Sequence, residues 1–61
     1  QQIVWESLAN GADARFLNGK WQGQAVSSLV LDVRGRDYLG WIWRTSPDDG
    51  LRRVIEGYFE S

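Results

Sequence analysis

SPDDGLRRVIEGYFES, residues 46–61, carries the clearest fold signal in the chain. Ser46 is a favourable N-cap residue, and Pro47 suits the first helical position because no backbone N–H is needed there. Asp48 and Asp49 follow in the first turn, where a negative charge interacts favourably with the helix dipole. Apolar residues then recur with helical spacing, at Leu51, Val54, Ile55, Tyr58 and Phe59. This stretch predicts an amphipathic helix with one face in the core.

A second helix is predicted immediately upstream, in DYLGWIWR, residues 37–44. Asp37 can cap its N-terminus, and Arg44 lies near its negative C-terminal end. Thr45 and Ser46 form the break between the two helices, which indicates a helix–turn–helix pair. From the apolar faces of this pair we expect much of the core to consist of Tyr38, Trp41, Ile42, Val54, Ile55 and Phe59.

The segment AVSSLVLDVRGRD, residues 25–37, supports two interpretations. Ser27 or Ser28 could cap a short helix that ends near Gly35. Alternation of the apolar residues Leu29, Leu31 and Val33 is instead typical of a strand. We favour the short helix.

A β-hairpin is predicted in ARFLNGKWQGQAV, residues 14–26. The pair Asn18-Gly19 suits a type I′ turn between two short strands, and Gly23 suggests a bulge in the second strand. A third strand is possible at residues 3–5, with the chain turning back at Asn10-Gly11. A hairpin this small is marginal alone, so it must pack on the helices.

These elements predict one small α+β domain, with an antiparallel hairpin of two or three strands packed on two or three short helices. We divide the 61 residues into a linker or extra N-terminal strand, 1–14, and a single small module, 15–61. Because the chain begins at Gln1 rather than methionine, we expect it to be a piece of a longer protein.

The composition argues against several function classes. The chain has no cysteine, histidine or methionine, which excludes disulfides and Cys/His zinc sites. A serine nucleophile would lack its usual histidine base, and no phosphate-binding glycine motif is present. We therefore expect no catalysis, no metal and no cofactor. No apolar run is long enough to span a membrane, and we expect a cytoplasmic monomer that does not bind membranes.

Basic and aromatic residues in the middle of the chain suggest nucleic-acid binding. The net charge is −1, but residues 15–44 hold five cations and two aspartates. Lys20 could contact phosphate, and Trp21 could stack on a base. Four further residues could widen this surface: Arg15, Gln22, Arg34 and Arg36. The plainer alternative is that Trp21 belongs to the core and Lys20 only solubilises a turn.

A protein-interaction or tethering module is the other function that the composition allows. Four tryptophans are many for one small core, and an exposed tryptophan is a common anchor for a partner. This hypothesis predicts an exposed apolar patch at Trp43 or Trp5 without a cationic rim. The partner would be a catalytic domain or another protein.

The order GKWQG, VSSLV, DYLGWIW and LRRVIEGYF resembles the small C-terminal domain of the exodeoxyribonuclease X family. The resemblance covers residues 15–59. It differs from the family pattern at Leu17 and Asn18, which separate the phenylalanine from the glycine. The matching positions are Phe16, Gly19, Lys20, Gly23, Leu29, Asp37, Tyr38, Leu39, Trp41, Ile42, Leu51 and Ile55.

The resemblance implies a non-catalytic accessory module of a DNA-processing protein, since the catalytic carboxylates of these exonucleases lie in a separate domain. It favours weak binding of DNA, preferably single-stranded DNA or DNA ends, without sequence specificity. Lys20 and Arg15 would then contact phosphate, and Trp21 would stack. The geometry of the turn explains Gly19 and Gly23 without a ligand, but it does not explain Lys20. The role of Lys20 therefore best separates a DNA contact from a purely structural role of this loop.

Overall fold

The structure, a computed structural model, describes residues 2–60. Two strands form one antiparallel sheet, β1 (Trp5–Leu8) and β2 (Asp13–Phe16), joined by a 3₁₀ turn, Ala9–Gly11. Three helices follow, α1 (Val26–Leu29), α2 (Val33–Thr45) and α3 (Asp49–Glu60). The predicted α+β class, a small hairpin packed on helices, is confirmed.

The hairpin forms at the turn predicted to follow the possible third strand, Asn10-Gly11, and not at Asn18-Gly19. β1 pairs with β2 so that Trp5 lies opposite Phe16, and the chain turns at Asn10 and Gly11, whose φ angles are 56° and 93°. The strand predicted to follow Asn18-Gly19 is not formed. After Asn18-Gly19, Ala25 pairs with Arg15 in an isolated antiparallel bridge instead of extending a strand. The side chain of Asn18 is used elsewhere, as described below.

Helix α1 is a single turn, and a side chain of β2 caps its N-terminus. The helical interpretation of residues 25–37 is confirmed for Val26–Leu29, but the helix ends well before Gly35. Neither predicted serine caps it. Asp13 of β2 does so instead, because its Oδ1 accepts hydrogen bonds from the backbone N–H groups of Ser27 (3.1 Å) and Ala14 (2.8 Å). One carboxylate thus joins the sheet to α1.

Helix α2 begins earlier than predicted. Its N-cap is Asp32 rather than Asp37, and the Asp32 Oδ1 accepts a 2.8 Å hydrogen bond from the Arg34 N–H. Gly35, which was expected to end a helix, is buried inside α2. A Cβ atom at this glycine would lie 2.8 Å from the Leu29 Cα and closer still to the Leu29 carbonyl oxygen. The missing side chain is what lets α2 pack directly on α1.

Helix α3 forms where it was predicted but has a different cap. Ser46 and Pro47 precede the helix, and Asp48 is the residue whose Oδ1 accepts a 3.2 Å hydrogen bond from the Leu51 N–H. Its Oδ2 accepts a 2.7 Å hydrogen bond from the indole N–H of Trp5. Asp48 therefore caps α3 and fastens it to β1 at the same time.

The Trp5 indole, donating to Asp48, holds the pKa of that carboxyl below its ordinary value. Partial burial opposes this effect, and the N–H groups of Leu51 and Gly50 reinforce it. A lowered pKa means that the stabilisation is complete above the unfolded-state value of about 4 and is lost as pH falls through the folded-state value.

We therefore expect the urea midpoint to fall between pH 5 and pH 2.5, and to fall less in Asp48→Asn. The matched control is Asp49→Asn, which should keep the wild-type pH dependence. An Asp48→Asn variant whose midpoint falls as steeply as the wild type would contradict this role of Asp48.

The core lies between the helices and the inner face of the hairpin. Its buried residues are Ala14, Phe16, Val26, Leu29, Leu39, Ile42, Leu51, Val54 and Ile55. The prediction was right for Ile42, Val54 and Ile55 and wrong for Trp41 and Phe59, whose side chains are 49% and 40% exposed.

The error for Trp41 follows from the phase of α2. Gly35, Leu39 and Ile42 form its inward stripe, and Trp41 lies about 100° away from Ile42 around the helix axis. Tyr38 is half-buried at the edge of this stripe. Within residues 2–60, no helix combines the length and the apolar character that crossing a membrane requires.

Candidate nucleic-acid interface

The loop of residues 17–24 is held at both ends by backbone hydrogen bonds. The Phe16 N–H donates to the Gln24 carbonyl (2.9 Å), and the Gly23 N–H donates to the Phe16 carbonyl (2.8 Å). The glycines inside the loop, Gly19 and Gly23, have φ angles of 82° and 86°. These left-handed conformations favour glycine and fold the chain back on itself.

Asn18 ties this loop to the N-terminal segment. Its Oδ1 accepts a 3.0 Å hydrogen bond from the Val4 N–H, and its Nδ2 donates a 3.0 Å hydrogen bond to the Gln2 carbonyl. The Leu17 N–H adds a 2.8 Å hydrogen bond to the Val4 carbonyl. Asn18 thus acts as a bridge between two backbone segments, and the next turn begins at Gly19, whose carbonyl accepts a 3.2 Å hydrogen bond from the Gln22 N–H.

Three aromatic rings form a row across the surface, which we call the aromatic row: Trp21, Tyr38 and Trp41. The Tyr38 ring lies 6.1 Å from the Trp21 ring and 5.9 Å from the Trp41 ring, nearly parallel to the latter at 28°. The buried Phe16 supports the row from below, edge-on to Tyr38 at 5.8 Å. The core thereby fixes the central ring, while Trp41 at one end is about half exposed.

Two cations accompany the aromatic row. The Lys20 ammonium lies 5.8 Å from the centre of the Trp21 ring, at the loop end of the row. Arg34 is exposed in the first turn of α2, one helical turn before Tyr38 and two before Trp41. Residues at this spacing share one face of a helix, so Arg34 lies on the face that carries Tyr38 and Trp41.

Trp41 stands between two surface depressions. The smaller, of about 190 Å³, is bordered by Gly19, Lys20 and Tyr38. The larger, of about 470 Å³, is bordered by Thr45, Pro47 and Leu51. Trp41 lines both depressions, so a planar ligand in either one could contact its half-exposed ring.

Burial raises the pKa of the Tyr38 hydroxyl. A tyrosine hydroxyl is protonated at neutral pH even at its ordinary pKa of about 10, so Tyr38 can donate a hydrogen bond. Among the residues that the structure describes, no three carboxylates are close enough to hold a metal ion. The chemistry that this surface offers is stacking, hydrogen bonding and attraction of an anion.

The other predicted contact residues are not gathered with Lys20 and Trp21. Gln22 is exposed in the same loop. Arg15 lies on the outer face of the hairpin, where its Nε donates to the Glu6 carboxylate at 2.7 Å. Arg36 lies on a different side of α2, with its guanidinium 5.1 Å from the Phe59 ring.

Sequence reasoning missed Trp41 as a surface residue, because it assigned this residue to the core. Tyr38 was assigned there too, and it packs against the core but is only partly buried. The available signal was the i, i+3 spacing of Tyr38 and Trp41 next to the separate Leu39 and Ile42 stripe. A helix that is apolar on two faces must leave one of them partly exposed when only one core is present. Choosing between the faces required knowledge of which one packs against the other helices.

The patch that the protein-interaction hypothesis predicted has a cationic rim. The Trp43 ring is 39% exposed and lies 4.8 Å from the guanidinium of Arg52, and its indole donates to Glu56 at 2.8 Å. The other tryptophan named by that hypothesis, Trp5, is half-buried and hydrogen-bonded to Asp48.

No protein-family model, no curated protein and no solved structure matches the chain. The resemblance to the exodeoxyribonuclease X family therefore stays a prediction. Among the positions that match this family, Phe16 is explained by its burial in the core, and Gly19 and Gly23 are explained by their positive φ angles. The fold does not account for Lys20, which is exposed.

Proposed function

We propose that the chain is a non-catalytic accessory module of a cytoplasmic DNA-processing protein and binds single-stranded DNA through the aromatic row. The observation that carries this proposal is the half-exposed Trp41 ring, stacked on Tyr38, with Lys20 beyond it beside Trp21. Aromatic faces that are supported from the core and flanked by cations are typical of surfaces that bind single strands.

Single-stranded DNA suits this surface better than a duplex. Inside a duplex the base faces are stacked on one another, so only an unpaired base or the terminal pair at a duplex end can cover the open face of Trp41. Stacking reads no hydrogen-bond pattern, so binding should not depend strongly on sequence. With Lys20 and Arg34 as the cations on this face, few counterions are displaced, and the affinity should be low with a modest salt dependence.

Trp41→Ala tests the stacking contact. Base–aromatic stacking contributes about 1–3 kcal/mol, so we expect affinity for a fluorescein-labelled oligothymidylate to fall about 5- to 150-fold, measured by fluorescence anisotropy. The matched control is Trp43→Ala, which removes a tryptophan of similar exposure from another face and should change affinity less than twofold. Equal losses in the two variants would contradict the proposed site.

Lys20→Gln tests the phosphate contact. We expect a loss of a few fold at low salt and a salt slope that is smaller by about 0.7, because one phosphate contact is removed. The exposed Arg53 on α3 provides the control, and Arg53→Gln should keep the wild-type slope. If wild-type binding does not weaken between about 0.05 and 0.3 M salt, phosphate contacts make no contribution and the proposal fails.

A further inference from the structure

A second apolar surface lies between α2 and α3, away from the aromatic row. It is a groove of about 540 Å³, and its apolar lining includes Gly40, Trp43, Ile55 and Phe59. Phe59 is 40% exposed, and Trp43 nearly as much. We call this feature the α2/α3 groove. Nothing in the proposed DNA contact uses it.

The charges along the α2/α3 groove are separated by helix. Arg36 and Arg44 line the α2 side, with Asp37 between them, and the acidic pair Glu56 and Glu60 lines the α3 side. Arg52 also lies on the α3 side, 4.8 Å from the Trp43 ring, so the α2 edge carries one net positive charge and the α3 edge one net negative charge. Such a surface is complementary to a copy of itself if each positive edge meets a negative edge.

The orientation of the two helices limits how two copies can meet. Arg36, near the start of α2, lies against Phe59, near the end of α3, so the helices run antiparallel. A two-fold axis parallel to the groove places α2 of one copy over α3 of the other and brings each Arg36 opposite a Glu60. A two-fold axis across the groove would instead place α2 over α2, with arginine facing arginine.

We propose that the α2/α3 groove is the interface of a weak symmetric dimer of this chain, with its two-fold axis parallel to the groove. Trp43 and Phe59 of each copy are covered by the same residues of the other, and Arg36 pairs with Glu60 on both sides. The smallest specific interfaces bury about 600 Å² per partner, roughly a seventh of the 4244 Å² surface of this chain.

Charge reversal tests this arrangement. Arg36→Glu places like charges opposite each other in its own dimer, and Glu60→Arg does the same. An equimolar mixture of the two variants restores both attractive pairs. Sedimentation equilibrium between about 10 µM and 1 mM should show dimer for the wild type and for the mixture, and monomer for each variant alone, with circular dichroism confirming that both variants fold.

The control is Lys20→Glu, which reverses a charge on the aromatic row and should leave the dimer constant unchanged. The sequence alone predicted a monomer. A wild-type protein that stays monomeric at about 1 mM would overturn the proposed dimer. So does a mixture that dimerises no better than its components. Because this experiment contains no DNA, neither result bears on the proposed DNA binding.

Discussion

Replacing Gly35 with alanine is expected to unfold the domain or to lower its free energy of unfolding by at least ~3 kcal/mol. The added Cβ would overlap the backbone of Leu29, with the Leu29 Cα at 2.8 Å. A backbone cannot move aside as a flexible side chain can. To accept the methyl group, α2 must separate from α1, and this separation also disturbs the packing of the buried Leu29 and Leu39.

The controls for this prediction are two other helical glycines, Gly57 and Gly40. A Cβ at Gly57 of α3 has no atom within 4 Å, and one at Gly40 of α2 meets only the Arg44 side chain at 3.8 Å. Alanine at Gly57 should therefore stabilise the domain by about 0.5–1 kcal/mol, as expected for an exposed helix position. Urea unfolding followed by tryptophan fluorescence measures all three variants. If Gly35→Ala proves as stable as Gly57→Ala, the close approach of α1 and α2 is wrong.

Asp48→Ala is expected to lower the free energy of unfolding by about 2–4 kcal/mol. Loss of an N-cap costs about 1 kcal/mol, and a hydrogen bond to a charged group contributes about 1.5–3 kcal/mol. Asp48 makes both interactions, with the Leu51 N–H and with the Trp5 indole. Its removal leaves the half-buried indole N–H without its acceptor and loosens the contact between β1 and α3.

A matched control and a double-mutant cycle separate the two roles of Asp48. Asp49→Ala removes an exposed neighbouring carboxylate whose contact with Arg52 is 3.9 Å long, and it should cost less than about 0.5 kcal/mol. Trp5→Phe keeps an aromatic ring but removes the donor. The Trp5→Phe and Asp48→Ala effects should be less than additive, because both remove the same hydrogen bond. Full additivity would show that the two side chains act independently.

Local patterns in the sequence predicted local structure well. The spacing from Leu51 to Ile55 gave helix α3 because periodicity and first-turn acids agree there. The turn at Asn10-Gly11 was also visible, since both residues tolerate positive φ. These features depend on neighbours a few positions away and need no knowledge of the tertiary fold.

Features that depend on distant residues could not be predicted. Ser46 and Asp48 are both good caps, and the choice of Asp48 depends on Trp5 at the other end of the chain. Asp13 caps α1 across the sheet, which no pattern within residues 25–37 reveals. Gly35 suits a helix end as well as a close contact, and only the position of Leu29 decides between them.

The candidate site could be predicted only in part, because it also depends on residues that are distant in the sequence. Lys20 and Trp21 are adjacent in sequence, and their contact required only a tight turn. Trp41 joins them because α2 turns its Leu39 and Ile42 stripe towards the core, which a sequence apolar on two faces does not specify. Arg36 falls on another side of the same helix, two residues from Arg34, because successive helical residues point about 100° apart.

The most direct test of the DNA-binding proposal follows the four tryptophan indole N–H signals of ¹⁵N-labelled protein by NMR during titration with a short single-stranded oligonucleotide, and then with the matching duplex. The indoles of Trp5 and Trp43 donate to Asp48 and Glu56, away from the proposed contact. We predict progressive shifts for Trp21 and Trp41, larger with the single strand, and small changes for Trp5 and Trp43. Four unmoved indole signals at millimolar oligonucleotide would contradict the proposal.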